Sequence, residues 1–191
     1  MTEKPIIFSG PMVRAILDGG KTQTRRVIKP QPPAGQYVAG CSWNKSKFAF
    51  WKGSPGKSCG CTCRPVHMAP AYRGDRLWVR EIWFSPPKPH NGLWGWQADG
   101  EHPHGRDYRV RPSIHMPRKY CRLFLDVKAV RVERLLNITC GDLRAEGMNN
   151  KYIHDNLTDY RKLWDSLNKK RGFGWKENPW VWVVEFEKVA A

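Results

Sequence analysis

From residue 121 to residue 135, apolar side chains recur at alternate positions: Leu123, Leu125 and Val127, then, after a slip near Lys128, Val130, Val132 and Leu135. Period-two alternation sends one face of a strand to a core and the other away from it. A one-residue slip predicts a bulge or bend that curves the sheet. Residues 179–187 alternate in the same way, with Trp180, Trp182 and Val184 opposite Val181 and Val183. Residues 76–83 form another such run after the Gly74-Asp75 turn, and residues 21–28 enter a further strand behind the Gly19-Gly20 hinge. Helical spacing appears at Met12, Ile16 and Leu17, with Pro11 suited to a first turn. A short helix capped by Thr139 is stopped by Gly147. A longer helix, opened by Asp155 or Thr158, carries Leu157, Tyr160, Leu163, Trp164 and Leu167. The order of helix, strand, insertion, strand, insertion, strand, helix pair and strand lacks the regular βαβ alternation of a doubly wound sheet. It predicts an α+β fold over residues 1–191, read as one domain: a small mixed or mostly antiparallel β-barrel with peripheral helices.

Two loop-rich insertions interrupt this pattern. The first, residues 29–72, is rich in Pro, Gly, Ser and Lys, with a hairpin expected around residues 48–51. It holds Cys59, Cys61 and Cys63, with Cys41 upstream and His67 downstream, which together form the ligand pool for a structural zinc. The Cys-x-Cys-x-Cys spacing departs from the usual Cys-x2-Cys knuckle, and free thiols are the alternative. The second insertion, residues 84–116, carries His90, His102 and His104, read as solvated, and a short strand near residues 93–98. No cofactor is required by this reading.

Thirty-three Lys and Arg against seventeen Asp and Glu give a formal net charge of +16. Such a field attracts polyanions, so nucleic acid is the leading partner, with a merely basic soluble protein as the alternative. A membrane is disfavoured, since no basic amphipathic helix has a broad apolar face. The first residues lack the apolar stretch of a signal peptide, and six Cys in a chain of this length argue against a disulfide framework. A cytoplasmic, monomeric protein is expected.

Three stretches, in this order, resemble the ASCH family, relatives of the PUA domain. They are Gly19-Gly20-Lys21-Thr22-Gln23-Thr24-Arg25, Gly74-Asp75-Arg76-Leu77-Trp78-Val79-Arg80-Glu81, and Ala145-Glu146-Gly147. Pro112-Ser113-Ile114-His115-Met116-Pro117-Arg118 and the closing Trp-rich strand look like the longer ASCH-containing variants of phage and prophage genomes. The resemblance implies a PUA-like barrel that deals with RNA, in preference to DNA, or with a nucleoside.

Within the family, an amidohydrolase deacetylates acetylcytidine, and its lysine, threonine and glutamate match Lys21, Thr24 and Glu146. Other relatives bind RNA or are associated with its cleavage, so a ribonuclease or a phage interaction protein stays open as well. In the binding reading, Lys21, Arg25, Arg26, Arg76, Arg80 and Arg118 hold phosphates while Trp78 and Trp83 stack on bases. Glu81 either accepts from an exocyclic amine or pairs with an arginine, and His115 either moves a proton or is structural.

Overall fold

The computed structural model describes residues 2–31, 37–40, 48–52, 67–68, 70–71, 73–85, 95–100, 108–149 and 152–189. In chain order they form β1 (Glu3–Ile7), α1 (Gly10–Leu17), β2 (Gln23–Val27), β3 (Tyr37–Gly40), β4 (Phe48–Lys52), β5 (His67–Met68), β6 (Arg76–Arg80) and β7 (Trp83–Ser85). There follow β8 (Gly95–Trp96), β9 (Arg109–Arg111), β10 (Phe124–Arg134), α2 (Cys140–Ala145), α3 (Ile153–Asn168) and β11 (Trp180–Val189).

A five-stranded mixed sheet, ordered β1-β6-β10-β11-β2, organises the molecule, with β1 parallel to β6 and the other pairs antiparallel. The long alternating segment is its central strand, β10, and the slip near Lys128 is a register shift between Val127 and Ala129. The extra residue bends β10 where it pairs with β11. Among the described residues, hydrogen-bonded pairing does not close the sheet, which ends at β1 and β2. The sheet is nevertheless curled, since both edge strands line one cleft and Arg26 Nη2 of β2 donates to the Ile7 carbonyl of β1 across it at 2.9 Å.

Strand β1 carries no alternation legible in Glu3-Lys4-Pro5-Ile6-Ile7, and an edge strand is where its proline is tolerated. The run at residues 76–83 is broken: β6 ends at Arg80, and β7 joins a separate three-stranded sheet, β8-β7-β9. The hairpin expected near residues 48–51 is β4, paired antiparallel with β3 and β5.

Both faces of β11 are covered. One core layer packs Val13 and Ile16 of α1 against Phe8, Leu77, Leu125, Val127, Val184 and Phe186. The opposite layer packs Val181 and Val183 against Leu135, Leu143, Tyr160 and Trp164, which fixes α2 and α3 to the sheet. Burying each of these large side chains stabilises the fold by about 1.5–3 kcal/mol relative to exposure. Helix α2 is only six residues long, and its start is set by a capping box. The Thr139 hydroxyl accepts from the Asp142 N–H at 3.1 Å, while Asp142 Oδ2 accepts from the Thr139 N–H at 2.9 Å.

Candidate functional site

The turn after α1 and the end of α2 meet beside the cleft. Gly19, at φ 79°, ends α1 in the left-handed region, and the chain reverses into Lys21. Lys21 forms an isolated antiparallel bridge with Glu146, flanked by Lys21 N–H to Ala15 O at 2.9 Å and Thr22 N–H to Ala145 O at 2.8 Å. Gly147 closes this junction at φ 90°, where a Cβ would lie 3.1 Å from Ala15 Cβ and 3.2 Å from Lys21 Cβ. Conformation and space both require glycine there. The Gly-Lys turn and the Ala-Glu-Gly helix end, far apart in sequence, are thus one local structure.

Lys21 is 2 % exposed, and its Nζ donates to Glu146 Oε2 at 2.8 Å and to the Glu146 carbonyl at 2.9 Å. Burial lowers the Lys21 pKa, and the Glu146 carboxylate opposes that shift. The other carboxylate oxygen of Glu146 accepts from Arg25 Nη1 at 3.2 Å. Arg25 is equally buried, and its Nη2 lies 3.3 Å from Glu133 Oε2 and 3.2 Å from Asp142 Oδ2. Arg131 extends the network to Glu133, Asp142 and Glu185. Three cations therefore face four carboxylates. Burial pushes the Asp142 carboxyl up, but the Thr139 hydrogen bonds and Arg25 outweigh it and hold the group at about 2.

The cleft, about 810 Å³, is bounded by the edge strands β1 and β2 and by α3. Such a volume falls in the range of small-molecule sites. Thr24, Arg25, Glu146 and Tyr160 meet on its lining, while Phe8, Met12, Leu77, Val184 and Trp164 provide apolar surface. Lys21 stands just behind Glu146 and is not itself part of the lining. Burial, then the nearby Glu146 charge, pushes the Tyr160 phenol well above its ordinary pKa, so it meets the cleft as a neutral hydroxyl. The arrangement offers hydroxyls and a carboxylate to a ligand, with their countercharges already bound. Tyr160 reads from sequence only as one apolar position of α3, and helical periodicity carries no signal of its place in the cleft.

The remaining residues expected from sequence lie elsewhere. Arg76 pairs with Asp126 at 2.8 Å, and Arg118 pairs with Glu3 at 2.7 Å while its guanidinium lies 4.6 Å from the Phe124 ring centre. Arg80 covers the Trp78 ring at 4.9 Å and donates to the Met116 carbonyl. None of these lines the cleft. Trp83 is buried and stacked on Tyr120 with ring centres 5.1 Å apart, which gives it a packing role.

Glu81 is buried and accepts from Arg122 Nε at 3.0 Å and Nη2 at 3.1 Å. Burial raises its pKa against the pull of Arg122. Of its two readings, pairing with an arginine is the one this geometry supports. His115 is exposed in a 3-10 turn. Cys41, Cys59, Cys61 and Cys63 lie outside the described residues, as does the side chain of His67. Among the described residues no three His, Cys, Asp or Glu side chains gather as a metal site. Nor is any helix there long and apolar enough to cross a membrane.

The fold and cleft define a mixed-sheet protein with a ligand-sized cavity between its two edge strands. No family model matches the chain, and no curated protein matches it. Among solved structures it is similar to the high-resolution crystal structure of an ASCH domain from Lactobacillus crispatus JV V101. That likeness covers 100% of this chain and 81% of the other at 10% identity, with a TM-score of 0.48.

Proposed function

We propose that the cleft holds the base of a nucleoside or nucleotide, RNA being favoured as its source, and that the curled sheet acts as a PUA-like barrel opened between β1 and β2. One observation carries this reading: the buried charges at the inner wall, Lys21, Arg25 and Glu146, are already paired with one another and with Glu133 and Asp142. Lys21 and Arg25 are already bound to Glu146, Glu133 and Asp142, so a phosphate placed there would compete with buried carboxylates. A flat, uncharged heterocycle with donors and acceptors on its edge meets Thr24, Glu146 and Tyr160 without that conflict, and Phe8 and Trp164 flank the same cavity. Equilibrium dialysis against the four ribonucleosides and a short single-stranded RNA tests the reading. Saturable binding that Thr24→Val and Glu146→Gln weaken while circular dichroism stays that of the wild type supports it; absence of binding by the wild type to all of them sinks it. Equal affinity for the matching DNA would remove only the preference for RNA.

A second reading is favoured by the contact between Lys21 Nζ and Glu146, with Thr24 lining the same cleft. In an amidohydrolase of the acetylcytidine type, water adds to the acetyl carbonyl and the C–N bond breaks, releasing acetate and cytidine. Glu146 would take the proton from the water and return it to the leaving amine. Thr24 would hold the water or act as nucleophile, and Lys21 would keep Glu146 oriented and favour the developing oxyanion. Following acetate release from acetylcytidine, with Lys21→Ala and Glu146→Ala alongside, tests this. No turnover by the wild type removes that substrate.

A further inference from the structure

Four charged side chains line the described part of the cleft: Arg25, Arg26, Glu146 and Arg171. Arg25 and Glu146 belong to the buried network and neutralise each other within it. Arg26 is half-buried, donates across the cleft to Ile7 O, and lies over the Phe8 ring at 5.3 Å. Arg171 is exposed and makes no ion pair among the described residues. It sits in the 3-10 turn Lys169–Arg171 that continues α3, beside the exposed Lys169 and Lys170.

This turn is a held structure. Trp164 Nε1, from a side chain that also lines the cleft, donates to Phe173 O at 2.8 Å. Gly172 N–H donates to Lys169 O at 3.0 Å, and Phe173 N–H donates to Asn168 O at 3.2 Å. Lys29 adds a further cation, its Nζ lying 5.1 Å from the centre of the Phe173 ring. Arg25 and Glu146 thus pair at the inner wall, while the turn presents three exposed cations, with Asp165 and Glu177 lying beside Gly174 and the Lys169 stem.

We infer that Lys169, Lys170 and Arg171 form the phosphate subsite of the ligand whose base enters the cleft, so that a nucleotide strand leaves along the end of α3. The inference rests on the base-binding reading above, and it relocates the phosphate contacts from Lys21 and Arg25 to this turn. Three cations at a helix C-terminus also favour the helix macrodipole. The α3 end does not need that contribution to face a ligand, because the Trp164 and Gly172 contacts already fix it.

The test uses the full chain and a variant carrying Lys169→Gln, Lys170→Gln and Arg171→Gln. A control removes as many charges at Arg109, Lys128 and Lys188, none of which lines the cleft. Binding of each ribonucleoside, its 5′-monophosphate and a short labelled single-stranded RNA is measured over a salt series. Each phosphate contact contributes about 0.7 to the slope of log K against log salt for single strands. The turn variant should therefore lose about 2 from the RNA slope and about tenfold in RNA affinity at moderate salt.

Its nucleoside affinity should stay within about twofold, and the control should retain the wild-type slope. A loss shared by the monophosphate locates one phosphate at the turn; a loss confined to RNA places the subsite along a strand. Wild-type slope and affinity in the turn variant overturn the inference while leaving the base site standing, as does an equal loss in the control. Failure of the wild type to bind nucleosides and RNA alike overturns the base-binding reading itself. Circular dichroism identical to wild type establishes that the variant is folded.

Discussion

Glu146 accepts from Lys21 through one carboxylate oxygen and from Arg25 through the other, so deleting its side chain leaves two buried cations facing a cavity. Breaking a buried ion pair by removing one partner costs more than the pair contributes, because the remaining charge stays desolvated. Glu146→Ala is expected to destabilise the fold by about 3–5 kcal/mol in urea unfolding at neutral pH. A loss under about 1 kcal/mol would mean that the network rearranges around the gap. Asp142 makes a pH-dependent contribution. Its folded pKa of about 2 lies below the unfolded value near 3.8, so the unfolded chain binds more protons between the two. Stability from this group is full above the unfolded pKa and is lost as pH falls toward the folded one, a difference of about 2 kcal/mol. The gap in unfolding free energy between wild type and Asp142→Asn should shrink by that amount on descending from pH about 6 to about 2. A gap constant over that range would show that Asp142 is not held low in the folded state.

At the scale of elements, α2 is too short to persist by propensity, and its reciprocal Thr139–Asp142 cap holds the chain where Glu146 must emerge. Thr139→Ala removes the hydroxyl cap at an expected cost of about 1 kcal/mol. It should also raise the acid midpoint of unfolding, because one of the bonds holding Asp142 low disappears. Urea and acid titrations of the same variant check both effects. An acid midpoint unchanged in Thr139→Ala would separate the cap from the Asp142 carboxyl. The Thr139 start, the Gly147 stop, the slip near Lys128 and the closing strand were all legible in sequence, since each depends on neighbours within a few residues. What local patterns do not encode is pairing. Strand β1 gave no signal because its place is fixed by parallel contact with β6, more than seventy positions away. Lys21 and Glu146 stood out through their motif contexts, but the bond between them spans 125 positions. The parts of Asp142, Glu133, Arg131 and Tyr160 in the site had no local trace, because they follow from curling of the sheet and docking of α3. The cations at residues 76, 80 and 118 were read as phosphate ligands from charge interleaved with aromatic residues, and the fold gives the first and last of them carboxylate partners.

For the molecule as a whole, the cleft lies where the described strands of the curled sheet stop short of closing, and its width depends on how the two edge strands are held. Among the described side chains, Arg26 makes the hydrogen bond that crosses from β2 to β1, and Phe8, just beyond β1, lies under its guanidinium. Replacing Arg26 by Met keeps a long apolar stem on Phe8 but removes the donor and the charge. If this strap sets the gap, β1 should open more readily while the β10–β11 pair, joined over ten register positions, should not. Loss of one partly exposed hydrogen bond of about 1 kcal/mol corresponds to roughly fivefold faster local exchange. Hydrogen–deuterium exchange should therefore accelerate by about that factor in the peptide containing β1, with β10 and β11 unchanged. Acceleration spread evenly over the whole sheet would instead report global destabilisation, and no acceleration would mean that packing of Phe8 and Ile6 against the core suffices to hold the edge. A loosened edge should also weaken nucleoside binding, since a site that must first order its own wall binds less tightly than one already formed.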